Sequence, residues 1–108
     1  MNSNKNGDFE FVEDGCSGET YRFVMKGRVS VKETAHMEHK LERVIELGGR
    51  HIVINMCFVD FFSSAGIRVI LHMYKKVTSM GGSLKIENPS ENVRNVIGLV
   101  ALNELLLK

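Results

Sequence analysis

An apolar run of strand length, His51-Ile-Val-Ile-Asn-Met56, stands between two stretches of helical periodicity, and this succession restricts the possible folds severely. A nearly continuous apolar run marks a strand buried on both faces of a sheet, whereas a half-solvated strand would alternate. Before it, Met37, Leu41, Val44 and Ile45 fall at helical steps within Val31–Leu47, a pattern that stops at Gly48-Gly49; the opposite face carries Glu38, Lys40, Glu42 and Arg43. After it, Ile67, Ile70, Leu71, Tyr74 and Val77 repeat at helical spacing, and this second helix ends in Met80-Gly-Gly82.

The same alternation continues. Ser83-Leu-Lys-Ile-Glu87 reads as a strand, Pro89 suits the first turn of a third helix with Val93, Val96 and Ile97 on its apolar stripe before Gly98, and Leu102–Lys108 reads as a last strand. At the other end, Phe9–Val12 and Tyr21–Met25 are short aromatic and β-branched runs separated by a stretch rich in turn formers, Glu13–Thr20, which together predict a β-hairpin. Strands joined through helices need crossover connections, so the later strands should lie parallel with the helices packed on them. The expected class is α/β: an N-terminal β-hairpin, then βαβαβ units, forming a mixed sheet with parallel core strands. A chain of 108 residues has room for one such domain, expected over residues 1–108 with 1–7 as a disordered tail.

Composition excludes several function classes. Hydrophobic residues make up 44% and charged residues 25%, an ordinary globular balance, and no apolar run reaches transmembrane length. The net charge of +1 comes from dispersed Lys and Arg, which gives no footprint for DNA or RNA. Met1–Gly7 is polar, unlike a signal or transit peptide, so a cytoplasmic protein is expected. Cys16 and Cys57 lack motif spacing; Cys57, inside an apolar stretch, is expected to be a buried reduced thiol, and no disulfide is expected.

Few residues suggest chemistry. His36 and His39 stand three apart on the first helix, but no third ligand is spaced to join them, so a solvated face is expected and no metal. His51 and His72 are isolated in sequence. Gly81-Gly82 follows a helix and lacks a phosphate-loop Lys-Ser/Thr pair, so no cofactor is expected. In Phe62-Ser-Ser-Ala-Gly66 a serine lies at a strand-to-helix turn with a glycine two residues on, but Phe62 stands where a hydrolase nucleophile elbow needs glycine. A non-enzymatic domain is the expectation.

Ser63 and Ser64 remain. A hydroxyl just before a helix accepts a hydrogen bond from an unpaired backbone N–H, and either serine suits that role. One serine is enough to cap. The other is then either redundant or a phosphate acceptor at the positive end of the helix dipole, where added negative charge is tolerated and changes the surface a partner meets.

From His51 through Phe61-Phe-Ser-Ser-Ala-Gly66 to Leu71 the chain resembles, without gaps, the STAS domain of bacterial anti-sigma factor antagonists. The resemblance continues through Gly81-Gly-Ser-Leu-Lys-Ile86 and Pro89–Leu99, and more weakly through Gly27-Arg-Val-Ser30. It places the family's phosphorylated serine at Ser64. Ser63 stands at the family's preceding acidic position, Ala65 replaces a second serine, and Gly66 matches. The resemblance implies a switch that binds an anti-sigma factor serine kinase and frees a sigma factor, lets go when Ser64 is phosphorylated, and is reset by a serine phosphatase. The expected docking face is the second helix, with Arg68, His72, Lys75 and Lys76, together with Phe61 and Phe62. The alternatives are a solvated helix face and burial of the two rings under the sheet edge. A competing role within the resemblance is an accessory subunit of a membrane transporter, docked constitutively without phosphorylation. The family usually adds a helix after the last strand; without it, Leu105–Leu107 would be less covered, which favours a homodimer or indicates a shortened chain.

Overall fold

The apolar run that starts at His51 continues to Phe62 as one strand in the computed structural model, which describes residues 9–99. The element order is β1 (Glu10–Ser17), β2 (Thr20–Val29), α1 (Val31–Glu46), β3 (His51–Phe62), α2 (Ser64–Ser79), β4 (Ser83–Glu87) and α3 (Glu91–Leu99). The sheet has the order β1-β2-β3-β4, antiparallel between β1 and β2 and parallel on both sides of β3. This is the mixed α/β architecture expected. The last strand at 102–108, the coverage of Leu105–Leu107 and the tail at 1–7 lie outside the described residues.

β3 outlasts its apolar alternation because it changes phase twice. Val24 pairs with Asn55 but Lys26 with Phe58, and Gly27 pairs with Val59 but Arg28 with Phe61, so at each step β3 inserts one more residue than β2. The buried positions follow suit: Ile52, Ile54 and Met56 at steps of two, then Val59 and Phe62 at steps of three. The first irregularity turns Cys57 and Phe58 outward. Cys57 is therefore an exposed thiol rather than a buried one, with its N–H donating to Asn55 Oδ1 at 3.0 Å.

The hairpin is tighter than the turn-rich stretch suggests. Ser17 pairs with Thr20, leaving a two-residue turn at Gly18-Glu19 that Gly18 makes possible with φ +62°. At the opposite edge, β4 ends with Glu87 paired to Asn55. Residues at the start of α3 then bond three carbonyls of β3. Ser90 donates its N–H to the Met56 carbonyl at 3.2 Å and its hydroxyl to the Val59 carbonyl at 2.7 Å, while the Asn92 amide donates to the Asp60 carbonyl. Ser90 Oγ also accepts from Val93 N–H at 3.3 Å, so α3 is capped by Ser90 and begins after Pro89.

One core joins these elements. Met37, Leu41, Val44 and Ile45 of α1 and Ile67, Ile70, Met73 and Val77 of α2 meet the inward side chains of β2, β3 and β4, and Val93 and Ile97 complete it from α3. Met73 is fully buried, whereas Leu71 and Tyr74, expected on the apolar stripe, are half-buried at its margin.

α1 starts at Ser30, whose backbone N–H donates to Glu33 Oε1 at 2.9 Å and whose hydroxyl donates to the same oxygen. Burial pushes the Glu33 carboxyl up, but the bonds from Ser30 and the nearby Lys32 charge outweigh it and hold the group below its ordinary value of 4.5. A lowered folded-state pKa stabilises above the unfolded value and is lost as pH falls through the folded one. Glutamine can still accept the Ser30 bonds, so denaturant melts of wild type and Glu33→Gln should differ only by the charge contribution, a few tenths of a kcal/mol at pH 7. That gap should shrink below pH 4.5; a gap that stays constant down to pH 3 would refute the assignment.

Candidate functional site

The end of β3 delivers two serines to the start of α2, and they divide the work. Ser63 has extended backbone, donates its N–H to the Val29 carbonyl at 2.9 Å and accepts the Gly66 N–H on its hydroxyl at 3.2 Å. Ser63 is the cap. Ser64, the first helical residue, is exposed, and its hydroxyl bonds to no described residue. Ser63→Ala should therefore cost about 1 kcal/mol, and Ser64→Ala close to nothing. In thermal unfolding the first change should lower the midpoint by about 5 °C; equal losses would show that the two hydroxyls share the capping.

Gly66 is buried where α2 crosses Phe62. A Cβ there would lie 2.9 Å from the Phe62 ring and 3.2 Å from Val29 Cγ1, so the glycine lets the helix start close to the strand. Ala65 beside it is half-buried. The surroundings of Ser64 favour a negative group. No acidic residue occupies the first turn of α2, the helix presents its positive end there, and Arg68 stands exposed one turn further on.

The expected docking residues separate on inspection. Arg68, His72 and Lys75 are exposed along α2. Lys76 is half-buried and ion-paired with Glu42 of α1, so it ties the two helices together. Phe61 is 39% exposed, but Phe62 is 1% exposed and belongs to the core, so Phe62 offers no ring to a partner. The second phase change in β3 causes this difference between neighbours. Sequence reasoning missed Phe58, 56% exposed, because a strict two-residue period cannot show where a bulge falls. Lys26 lies 5.3 Å from the Phe58 ring centre and the Arg28 guanidinium 4.6 Å from that of Phe61, two cation–π contacts on one exposed strip.

His36 and His39 are both exposed, and His36 meets the Phe9 ring edge-on at 5.7 Å. His51 Nδ1 pairs with Ser83 Oγ at 2.9 Å across the β3–β4 edge. The charged face of α1 is not wholly solvated, however. Glu38 and Glu42 turn toward α2, where their carboxylates converge with His72, the ligand atoms all within 4.8 Å of one another. Among the described residues, no helix is long and apolar enough to cross a membrane.

The geometry has clear counterparts. The STAS domain family model matches residues 16–107. The chain is 28% identical over 82 residues to the anti-sigma-B factor antagonist of Bacillus subtilis, a match spanning 74% of this chain and 72% of that protein. It is 29% identical over 72 residues to BtrV of Bordetella bronchiseptica, which carries the name of an anti-sigma factor antagonist; that match spans 67% of this chain and 62% of BtrV. Among solved structures, the anti-sigma factor antagonist SpoIIAA in its unphosphorylated form superposes with a TM-score of 0.82 at 21% identity, covering 91% of this chain and 86% of that one. The Bacillus cell fate determinant SpoIIAA in its phosphorylated form gives 0.75 at 20% identity, over 91% of this chain and 89% of that one. These superpositions concern the fold.

Proposed function

The chain belongs to the STAS domain family, and from that premise we propose that it is an anti-sigma factor antagonist switched by phosphorylation of Ser64. Unphosphorylated, it binds an anti-sigma factor serine kinase and frees the sigma factor held by that kinase; phosphorylated, it lets go; a serine phosphatase resets it. The observation that carries this reading is the exposed hydroxyl of Ser64, bonded to no described residue, beside a separate serine that already caps the helix. The names of the two relatives, and the fold shared with SpoIIAA, support it.

The docking face combines Phe61 with Arg68, His72 and Lys75, and extends to Phe58 with Lys26 and Arg28. Aromatic rings and arginine are the residue types that carry most interface energy. A dianion added at Ser64 lies against this face: the helix end and Arg68 can bear its charge within the domain, but a partner packed there must desolvate it.

The test is transfer of phosphate. Incubation with the cognate anti-sigma kinase and ATP, followed by peptide mapping in a mass spectrometer, should place one phosphate on Ser64 and none on Ser63. An unmodified Ser64 under conditions where the kinase phosphorylates a known substrate removes the switch. Recovery of a permease in a pull-down, with no anti-sigma kinase, would move the reading to a transporter subunit.

A further inference from the structure

We infer that Glu38, Glu42 and His72 form a binding site for one zinc-type divalent ion, held between α1 and α2. The two glutamates are four residues apart on one face of α1 and the imidazole comes from α2, so the donor set exists only when the helices are packed. Their ligand atoms lie within 4.8 Å of one another. Four-coordinate zinc with bonds of 2.0–2.2 Å holds its ligands about 3.5 Å apart, so side-chain rotations of roughly 1 Å close the site without backbone movement. One imidazole nitrogen with two carboxylates is a set suited to zinc; calcium and magnesium select oxygen ligands alone. Three protein ligands leave a fourth position open. A cleft of about 220 Å³ adjoins the cluster, lined by Glu38, Arg68, Val69 and His72, and gives that position room for water or a partner's side chain.

Two cations face the cluster. Arg68 lines the cleft, and the Lys76 ammonium is bonded to Glu42 Oε1. Lys76 therefore competes with the metal for Glu42, and an ion that enters must displace it or take the other carboxylate oxygen. Removing that ammonium should tighten metal binding, a response that loose adsorption of zinc to surface histidines would not give.

The isolated protein is sufficient for the test, so the outcome does not depend on whether Ser64 is a switch. Titration with Zn²⁺ in a calorimeter should give one saturable equivalent. His72→Ala and Glu38→Gln should each weaken it at least about tenfold, because each removes one of three ligands. Lys76→Met should strengthen it several-fold, and the double change His36→Ala with His39→Ala should leave it unchanged. Co²⁺ in place of Zn²⁺ should show the intense visible absorption of a four- or five-coordinate site. Absence of saturable binding, an affinity unchanged by His72→Ala, binding lost with His36 and His39, or the weak pink spectrum of octahedral cobalt would each overturn the site.

Discussion

Gly82→Ala is expected to remove roughly 3 kcal/mol of stability, enough to leave a domain of this size barely folded at physiological temperature. A Cβ at this position would sit 1.8 Å from the Arg50 carbonyl oxygen and 2.8 Å from its carbonyl carbon. Backbone, unlike the end of a side chain, cannot rotate away. The Arg50 carbonyl accepts the Ser83 N–H at 2.8 Å, the Arg50 N–H donates to the Glu19 carbonyl at 2.9 Å, and the Arg50 guanidinium holds the carbonyls of Ile45 and Gly49. Relief of the clash therefore strains the start of β4, the start of β3 and the end of α1 together. Thermal unfolding should show a midpoint lowered by roughly 15 °C or more. The informative comparison is Gly81→Ala, where a Cβ meets nothing within 4 Å and the cost comes from φ +86° alone, about 1 kcal/mol. If the two alanines destabilise equally, the close approach of Gly82 to Arg50 is wrong.

Ser64→Glu, a permanent negative charge at the proposed phosphate site, should weaken binding to the anti-sigma kinase about 100-fold, near 3 kcal/mol, while leaving the domain's own unfolding within about 0.5 kcal/mol of wild type. The two halves have different origins. Within the folded domain, a carboxylate in the first turn of α2 meets the positive end of the helix and has no acidic neighbour there, so it is neutral or mildly stabilising. At an interface the same carboxylate must shed water and find a counter-charge, which a partner fitted to a neutral hydroxyl lacks. Ser64→Ala should keep wild-type affinity and resist the kinase. Surface plasmon resonance with the immobilised kinase reads all three proteins; a glutamate variant that binds as tightly as the serine form would end the electrostatic account of release.

Much of this domain could be read from residue order, and most of the failures share one cause. Helix α1 and strand β4 follow their apolar spacing closely, because each presents a single face to one core and nothing interrupts its period; α2 does so with Met73 in the core and Leu71 and Tyr74 at its margin. The hairpin was readable as well, though strand pairing carried β1 and β2 into residues whose composition suggested a turn. The failures gather in the second half of β3. The apolar stretch suggests a buried Cys57, leaves Phe62 open between docking and burial, and does not single out Phe58, because two inserted residues shift the inside–outside register and leave no local mark in sequence. The meeting of Glu38 and Glu42 with His72 was unreadable for another reason. Residues thirty positions apart come together only through the angle and offset at which two helices pack, and the period of neither helix contains that.

The double phase change in β3 separates two kinds of constraint that an ordinary strand keeps locked together. With strict alternation, every position turned toward solvent is flanked by core positions at fixed intervals, and lengthening the outward surface lengthens the interior too. Here Phe58 and Phe61 stand outside with Lys26 and Arg28 over them, while Val59 and Phe62 beside them fill the interior. If the proposed docking face is right, substitutions at the outward pair would alter what is recognised there without reopening the hydrophobic interior, so recognition and scaffold can vary independently.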